Sequence, residues 1–341
     1  MSFLVGLGGV PLMPSSSMSA KKIDDSDLGR AEAPVTLKAY LMCVFAAFGG
    51  TLFGYSSGYM AGIMGMDFFI KTVAGSDATV LPSMHKSLIT SILSAGTFFG
   101  AILAGDLADR VGRRTTVILG CVVFCAGVAL QAATSAGLSL IVVGRLVSGF
   151  GVGFVSATII LYMSEIAPYK VRGAIVSGYH FCICIGLLLA SCISYGNQRR
   201  NDSGSYRIPI GIQAVPAIIL AVGLLYLPES PRFYIKKGKL HLATTALASV
   251  RGQSPDSIYI QDELAEMIAN YESEMDAVPH GGSTYLQSWT ISFTGSPWQG
   301  GSYIRRTILG TSIQMMQQWY VMILPQLSCS ICLIMSAYLV K

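Results

Sequence analysis

The chain has 341 residues, 52% of them hydrophobic and 12% charged, with a formal net charge of +5 and a mean hydropathy of +0.57. Soluble domains are roughly one quarter charged, so an aqueous globule is excluded and a lipid bilayer is the expected surroundings. The basic residues fall in short joints rather than one patch, which argues against a nucleic-acid partner.

Residues 1–36 open on a short apolar patch, 3–13, with no basic stretch before it, and continue into a Ser-rich and then charged segment. That order reads as a cytosolic tail rather than a cleaved signal peptide. A helix needs about 20 apolar residues to cross a bilayer. Stretches of suitable length and character run over 39–64, 88–107, 115–133, 138–162, 173–195 and 208–227. A seventh begins near Thr307, and a last apolar stretch, 327–340, is too short to assign as a span. The expected fold class is therefore all-α and polytopic: a bundle over 37–230, a polar insert over 231–304, and the start of further spans over 305–341.

In the insert, Ser254-Pro255 predicts a helix start, with a cap and then proline in the first turn. Ile260, Leu264, Met267, Ile268, Tyr271 and Met275 then share one helical face, and Pro279 with Gly281-Gly282 would end it. The segment is too short for a catalytic domain.

Loop charge predicts orientation. With the N-terminus inside, sixteen Lys and Arg fall in cytosolic joints and five on the other side. The acceptor Asn201-Asp202-Ser203 is then external. All eight cysteines lie in apolar runs and read as packing residues, Cys329-x-x-Cys332 included. No cofactor or metal is expected, and a monomer is.

Arg145 stands inside the 138–162 stretch. A guanidinium there costs at least a few kcal/mol unless it faces a partner, a bundle interior or water. The joint after the second stretch, residues 105–114, gathers Asp109, Arg110, Arg113 and Arg114 around Gly112. Glu165 and Arg172 flank the next joint on that side, and Glu229 with Arg232 the one after the sixth stretch. Ion pairs at a wet interface are individually weak and can be broken, so three such joints suit a latch. Gly54-Tyr55-Ser56-Ser57-Gly58 fits the G-x-S-x-G pattern of serine hydrolases, but that motif needs a strand-to-helix elbow, and here it lies inside a span.

In order, the chain carries Asp109-Arg110-x-Gly112-Arg113-Arg114, Gly144-Arg145, Tyr162-Met163-Ser164-Glu165 with Arg172-Gly173, Pro228-Glu229-Ser230-Pro231-Arg232, and Gln314-Met315-Met316-Gln317-Gln318-Trp319. The ordered set resembles the sugar porters of the major facilitator superfamily, in wording most like fungal hexose transporters. The resemblance runs from about residue 39 to Trp319. It implies two six-helix bundles with a hexose bound between them and alternating access to the two sides. It further implies a non-enzymatic protein of the plasma membrane with a small-molecule sugar as its partner. Gln317 and Gln318, with Gln314 one turn earlier, match the family's sugar-hydroxyl ligands, and Phe53 and Tyr55 its cavity lining on the first span. Arg145, Asp109, Arg113, Glu165, Arg172, Glu229 and Arg232 match its gating and latch positions.

Three departures stand out. Proton-coupled members carry aspartate where this chain has Ser56, and a hydroxyl cannot titrate near neutral pH, so any transport is expected to be downhill. His180 replaces a sugar-binding glutamine on the fifth span. After Trp319 the chain reads Tyr320-Val321-Met322-Ile323-Leu324-Pro325, unlike the family, which leads to the expectation of a truncated second bundle. A non-transporting glucose sensor and an inactive truncated product are the alternatives.

Overall fold

An apolar segment in lipid must bond its own backbone, and the helix is how a single segment does so. The computed structural model describes residues 37–75, 80–134, 137–168, 171–200 and 202–276, and their regular structure is helical throughout. In chain order these are α1 (Leu37–Ala47), α2 (Gly49–Ile63), α3 (Asp67–Ala74), α4 (Ser83–Val111), α5 (Arg113–Ala132) and α6 (Ser139–Ile166). They are followed by α7 (Arg172–Asn197), α8 (Gly204–Ile212), α9 (Ala214–Tyr226), α10 (Pro231–Lys236), α11 (Leu240–Arg251) and α12 (Ile258–Asp276).

Among the described residues six spans are long and apolar enough to cross a membrane: Leu37–Ile63, Ser83–Val111, Arg113–Ala132, Ser139–Ile166, Gly173–Asn197 and Gly204–Tyr226. Each coincides, to within a few residues at either end, with one of the six apolar stretches read from the sequence. The first joins α1 to α2 through Phe48, and the last joins α8 to α9 through Gln213; both joints keep helical dihedrals. Several spans overrun their apolar stretch. α4, for example, continues through Asp106 to Arg110, because hydrogen bonding along a helix does not stop where the side chains become polar.

The central element is α6, packed along α4 on one side and α5 on the other, while α2 packs along α7. These pairs approach backbone to backbone at glycines. A Cβ on Gly149 of α6 would lie 2.6 Å from the Leu93 carbonyl oxygen of α4, and one on Gly151 would lie 2.5 Å from the Phe124 nitrogen of α5. Gly54 of α2 and Gly186 of α7 serve the same close approach. Small residues at such crossings let van der Waals contact and carbonyl dipoles act at short range. Leu52, Tyr59, Ile63, Phe124, Val152, Ile159 and Leu220 fill the interior, whereas Phe98, Leu103, Val122, Phe181, Leu188 and Val222 point outward. An apolar exterior is what a lipid-facing surface requires.

Beyond α9 the described residues form three helices, of which the sequence reading anticipates only the last. Pro231 at the first turn of α10 follows Ser230, and α11 ends at Gly252 in the left-handed region. Ile235, Ala243, Leu247, Ile260 and Leu264 make a small second core, with Met267, Ile268 and Tyr271 against it, so the expected apolar face of α12 is the one that packs. The expected start is corrected: Ser254 to Ser257 forms a turn, closed by Ser257 N–H donating to Ser254 O at 3.0 Å, and α12 begins at Ile258. The short helix α3 after the first span was also unanticipated. The N-terminal tail, Asn201 and everything after residue 276, including the expected seventh span, lie outside the described residues.

Candidate functional site

The charged joints converge at one end of the bundle. The Arg113 guanidinium, almost fully buried, meets Glu165 at 3.1 Å (Nε to Oε2) and again through Nη2 to Oε1 at 3.1 Å. Nη2 also lies 3.2 Å from Asp109 Oδ1, and Nη1 donates to the Ala108 carbonyl. Ser230 Oγ donates to Glu165 Oε2, so that carboxylate is bonded from two sides. The Arg113 cation also stacks over the Phe233 ring at 5.7 Å. A guanidinium with its fork on one carboxylate is pre-organised, and the pair is therefore directional.

Glu229 does something the sequence did not reveal. Its Oε1 accepts the backbone N–H groups of Arg113, Arg114 and Ser230, each at 3.0 Å. It thus caps the start of α5, where unpaired N–H groups and the helix dipole favour a negative charge. Gly112 makes room for it: its φ is +111°, and a Cβ there would collide with Glu229 Oε2. Arg114 Nη2 donates to the Leu225 carbonyl at 2.9 Å and Tyr162 Oη to the Pro228 carbonyl at 2.6 Å, drawing the ends of α5, α6 and α9 together.

The extra helices are fastened to the same end. Lys236 Nζ pairs with Asp109 Oδ2 at 2.6 Å. Arg251 donates Nη1 to the Ile166 carbonyl at the end of α6, at 2.9 Å, and pairs with Glu263 of α12 at 2.5 Å. Of the expected latch residues, Asp109, Gly112, Arg113, Arg114, Glu165 and Glu229 are brought together. Arg110 instead pairs with Asp106 one turn back on an exposed surface, and Arg232 is exposed on α10. Arg172 begins α7, and its side chain lies outside the described residues.

Arg145 is 2% exposed. Its Nε donates to the Ile89 carbonyl of α4 and its Nη1 to Tyr59 Oη of α2, both at 3.0 Å. The guanidinium also lies 5.5 Å from the centre of the Tyr59 ring. Tyr59 Oη donates in turn to Gln131 Oε1 at 2.5 Å, and Gln131 Nε2 donates to Ser148 Oγ at 3.0 Å and to the Gly144 carbonyl at 3.2 Å. Among the described residues no carboxylate pairs with Arg145. Tyr59 and Gln131 were missed from the sequence, although a glutamine in an apolar run was a signal of the same kind as Arg145 itself.

Ser56 is buried one turn before Tyr59 on α2, far from any strand-to-helix elbow, so the G-x-S-x-G match lacks its required setting. Tyr55 Oη donates to the Pro209 carbonyl of α8 at 2.9 Å, which turns this ring into the bundle, while Phe53 is half-buried. His180 is half-buried on α7, with Nδ1 3.3 Å from the Val176 carbonyl. A carbonyl only accepts, so Nδ1 carries the proton and Nε2 is left as an acceptor. Gln314, Gln317 and Gln318 lie outside the described residues.

The profile of the family described as "Sugar (and other) transporter" matches residues 42–324, most of the chain. The chain belongs to the sugar transporter family. The major facilitator-type transporter ecdD of Aspergillus rugulosus is 41% identical over 285 residues, covering 82% of this chain and 50% of that protein. The high glucose sensor RGT2 of Saccharomyces cerevisiae is 40% identical, covering 84% of this chain and 37% of the sensor. The low-affinity glucose transporter HXT1 of the same yeast is 32% identical, with 87% and 52% covered. The chain thus spans about half the length of the curated relatives it matches, or less. The proton:xylose symporter XylE, bound to 6-bromo-6-deoxy-D-glucose, superposes with a TM-score of 0.62 at 23% identity, over 69% of this chain and 53% of XylE. That likeness bears on the fold, which is of the major facilitator type. As a member of the sugar transporter family, the chain is a multi-pass membrane protein.

Proposed function

We propose that this six-helix bundle is the N-terminal half of a hexose carrier working by alternating access, and that transport is facilitative. The plasma membrane is the proposed site, with the N-terminus and the Arg113 joint on the cytosolic side. The observation that carries the reading is the Arg113–Glu165–Glu229 cluster. It fastens the ends of α4, α5, α6 and α9 through contacts that water can replace once the joint opens. Gln317, Gln318 and Gln314 would bind sugar hydroxyls from the seventh span. His180 would offer Nε2 from the fifth and Phe53 an apolar wall. Ser56 in the place of a carboxylate supports downhill movement, since no group at that position takes up a proton near neutral pH.

Uptake of labelled glucose in a transporter-null yeast tests the proposal. This chain is compared with one extended past Trp319 by a complete second bundle from a glucose-transporting relative. Uptake by the extended chain, without glucose-driven alkalinisation of the medium, supports it; proton uptake coupled to sugar would end the facilitative reading. The resemblance to a glucose sensor favours a second reading, in which sugar binding is kept and passage is lost. Glucose protection of the extended chain against thermal unfolding, with no uptake, would select the sensor.

A further inference from the structure

We propose that Gln131 is a positioning residue: acting through Tyr59, it turns the Arg145 guanidinium towards the first and second spans and holds it there in place of a carboxylate. What Arg145 is held for rests on the carrier reading above. The hold itself does not, and it is tested without transport, so its failure would leave that reading standing.

Direction is fixed at every step of the bonds around Arg145. Gln131 is fully buried on α5, and its Nε2 lies 3.3 Å from the Gly127 carbonyl, 3.2 Å from the Gly144 carbonyl and 3.0 Å from Ser148 Oγ. The two carbonyls only accept, and Ser148 Oγ already gives its proton to the Arg145 carbonyl at 3.1 Å. Three acceptors on one side require the NH2 of the amide there, so Oε1 faces Tyr59. Oε1 also only accepts. The Tyr59 hydroxyl therefore donates to it, at 2.5 Å, and keeps a lone pair for Arg145 Nη1 at 3.0 Å. Were the amide reversed, its NH2 would meet the phenol oxygen and compete with the guanidinium for it.

The bonds thus leave the Arg145 side chain, pass through Tyr59, Gln131 and Ser148 in turn, and return to the Arg145 carbonyl. Each group donates in the same sense around this ring, and bonds so aligned polarise and strengthen one another. All four residues are at most 2% exposed, so bulk water does not compete for them.

Packing keeps Gln131 in place. α5 and α6 approach closely here: a Cβ on Gly144 would lie 2.7 Å from Gln131 Cγ, and one on Gly127 would lie 2.4 Å from the Ser148 nitrogen. A glutamine that only tied α5 to α6 would be satisfied by its Nε2 contacts; its Oε1 is spent on the residue that holds the arginine. Without the Tyr59 hydroxyl, Arg145 keeps the Ile89 carbonyl and the aromatic face, and these neutral groups alone hold a buried cation poorly. The amide has no charge to gain or lose, which suits a carrier that moves sugar without protons.

The test is labelling of arginines by phenylglyoxal, resolved by peptide mass mapping, on the purified full chain in detergent. In the wild type Arg145 should label far more slowly than the exposed Arg110 and Arg232. Gln131→Met keeps the length and removes the amide, and Tyr59→Phe removes only the hydroxyl. Each should speed labelling of Arg145 about tenfold or more, the opening that loss of one bond to a charged group permits. The double variant should be no faster than the quicker single, since the two residues act in series. Gln131→Glu keeps an acceptor for the phenol and should keep Arg145 protected. Throughout, the buried Arg113, in its pair with Glu165, should label as in the wild type. Arg145 staying protected in either Gln131→Met or Tyr59→Phe would overturn the proposal. So would Gln131→Met exposing Arg113 equally, which would mean loosened packing, or a double variant that multiplies the two effects, which would mean separate actions.

Discussion

Glu229 Oε1 sits 3.0 Å from the backbone nitrogens of both Arg113 and Arg114, so a residue at the end of the sixth span caps the first turn of the third. One carboxylate joins two helices that are far apart in the chain. Glu229→Ala should lower stability by about 1–3 kcal/mol, the cost of leaving buried N–H groups unmatched. Glu229→Gln, which keeps an acceptor oxygen, should cost less. Unfolding of the two variants in detergent measures the difference.

Gly112→Ala should be worse than an ordinary surface substitution. The position needs a left-handed φ of +111°, and the added methyl would strike the Glu229 carboxylate. A strained backbone alone costs about 1–3 kcal/mol. Combining it with Glu229→Ala should be less than additive, because the double variant removes the collision partner; a melting-temperature cycle checks this.

Arg113 and Glu165 form a buried pair; removing Arg113 strands the Glu165 carboxylate, and removing Glu165 leaves the buried guanidinium only its half-exposed partner Asp109. Arg113→Met or Glu165→Leu alone should cost about 3–5 kcal/mol, while the double variant should recover much of the loss. A double that is as poor as the sum of the singles would show that the two side chains are not coupled.

Arg251→Ala should loosen α11 and α12 while leaving the spans intact, since Arg251 bonds both Glu263 and the Ile166 carbonyl, whereas α10 keeps its own tie through Lys236 and Asp109. Amide exchange should quicken in α11 and α12 and stay unchanged in α5 and α6.

At the opposite end of the spans, a hydrogen bond from Arg200 holds the Asp202 carboxyl below its usual range. This pair is favourable above the ordinary aspartate pKa and is lost as pH falls through the depressed value. Arg200→Ala should raise the Asp202 titration midpoint, as read by carboxyl chemical shifts.

The apolar stretches were legible because spanning a bilayer imposes length and composition, and six of them became helices within a few residues of their expected limits. Asp109, Arg113, Glu165 and Glu229 were legible as a group because charge is rare in such a chain. What Glu229 does was not, since nothing in the string Pro228-Glu229-Ser230-Pro231 says that its oxygen reaches the backbone of Arg113. Tyr59 was hidden for a different reason: a tyrosine in an apolar helix looks like filler until the distant Arg145 is placed against it. The short helices α10 and α11 escaped because six to twelve residues carry too little periodicity to stand out from a loop.

Where Gly149 and Gly151 press the main chain of α6 against α4 and α5, no side chain lies between the rods to act as a bearing. Three helices in that state can neither slide nor twist past one another without breaking contact along their whole length. Any large motion must therefore pivot the trio as a stiff unit, with the give concentrated in its wrapping of longer, softer side chains.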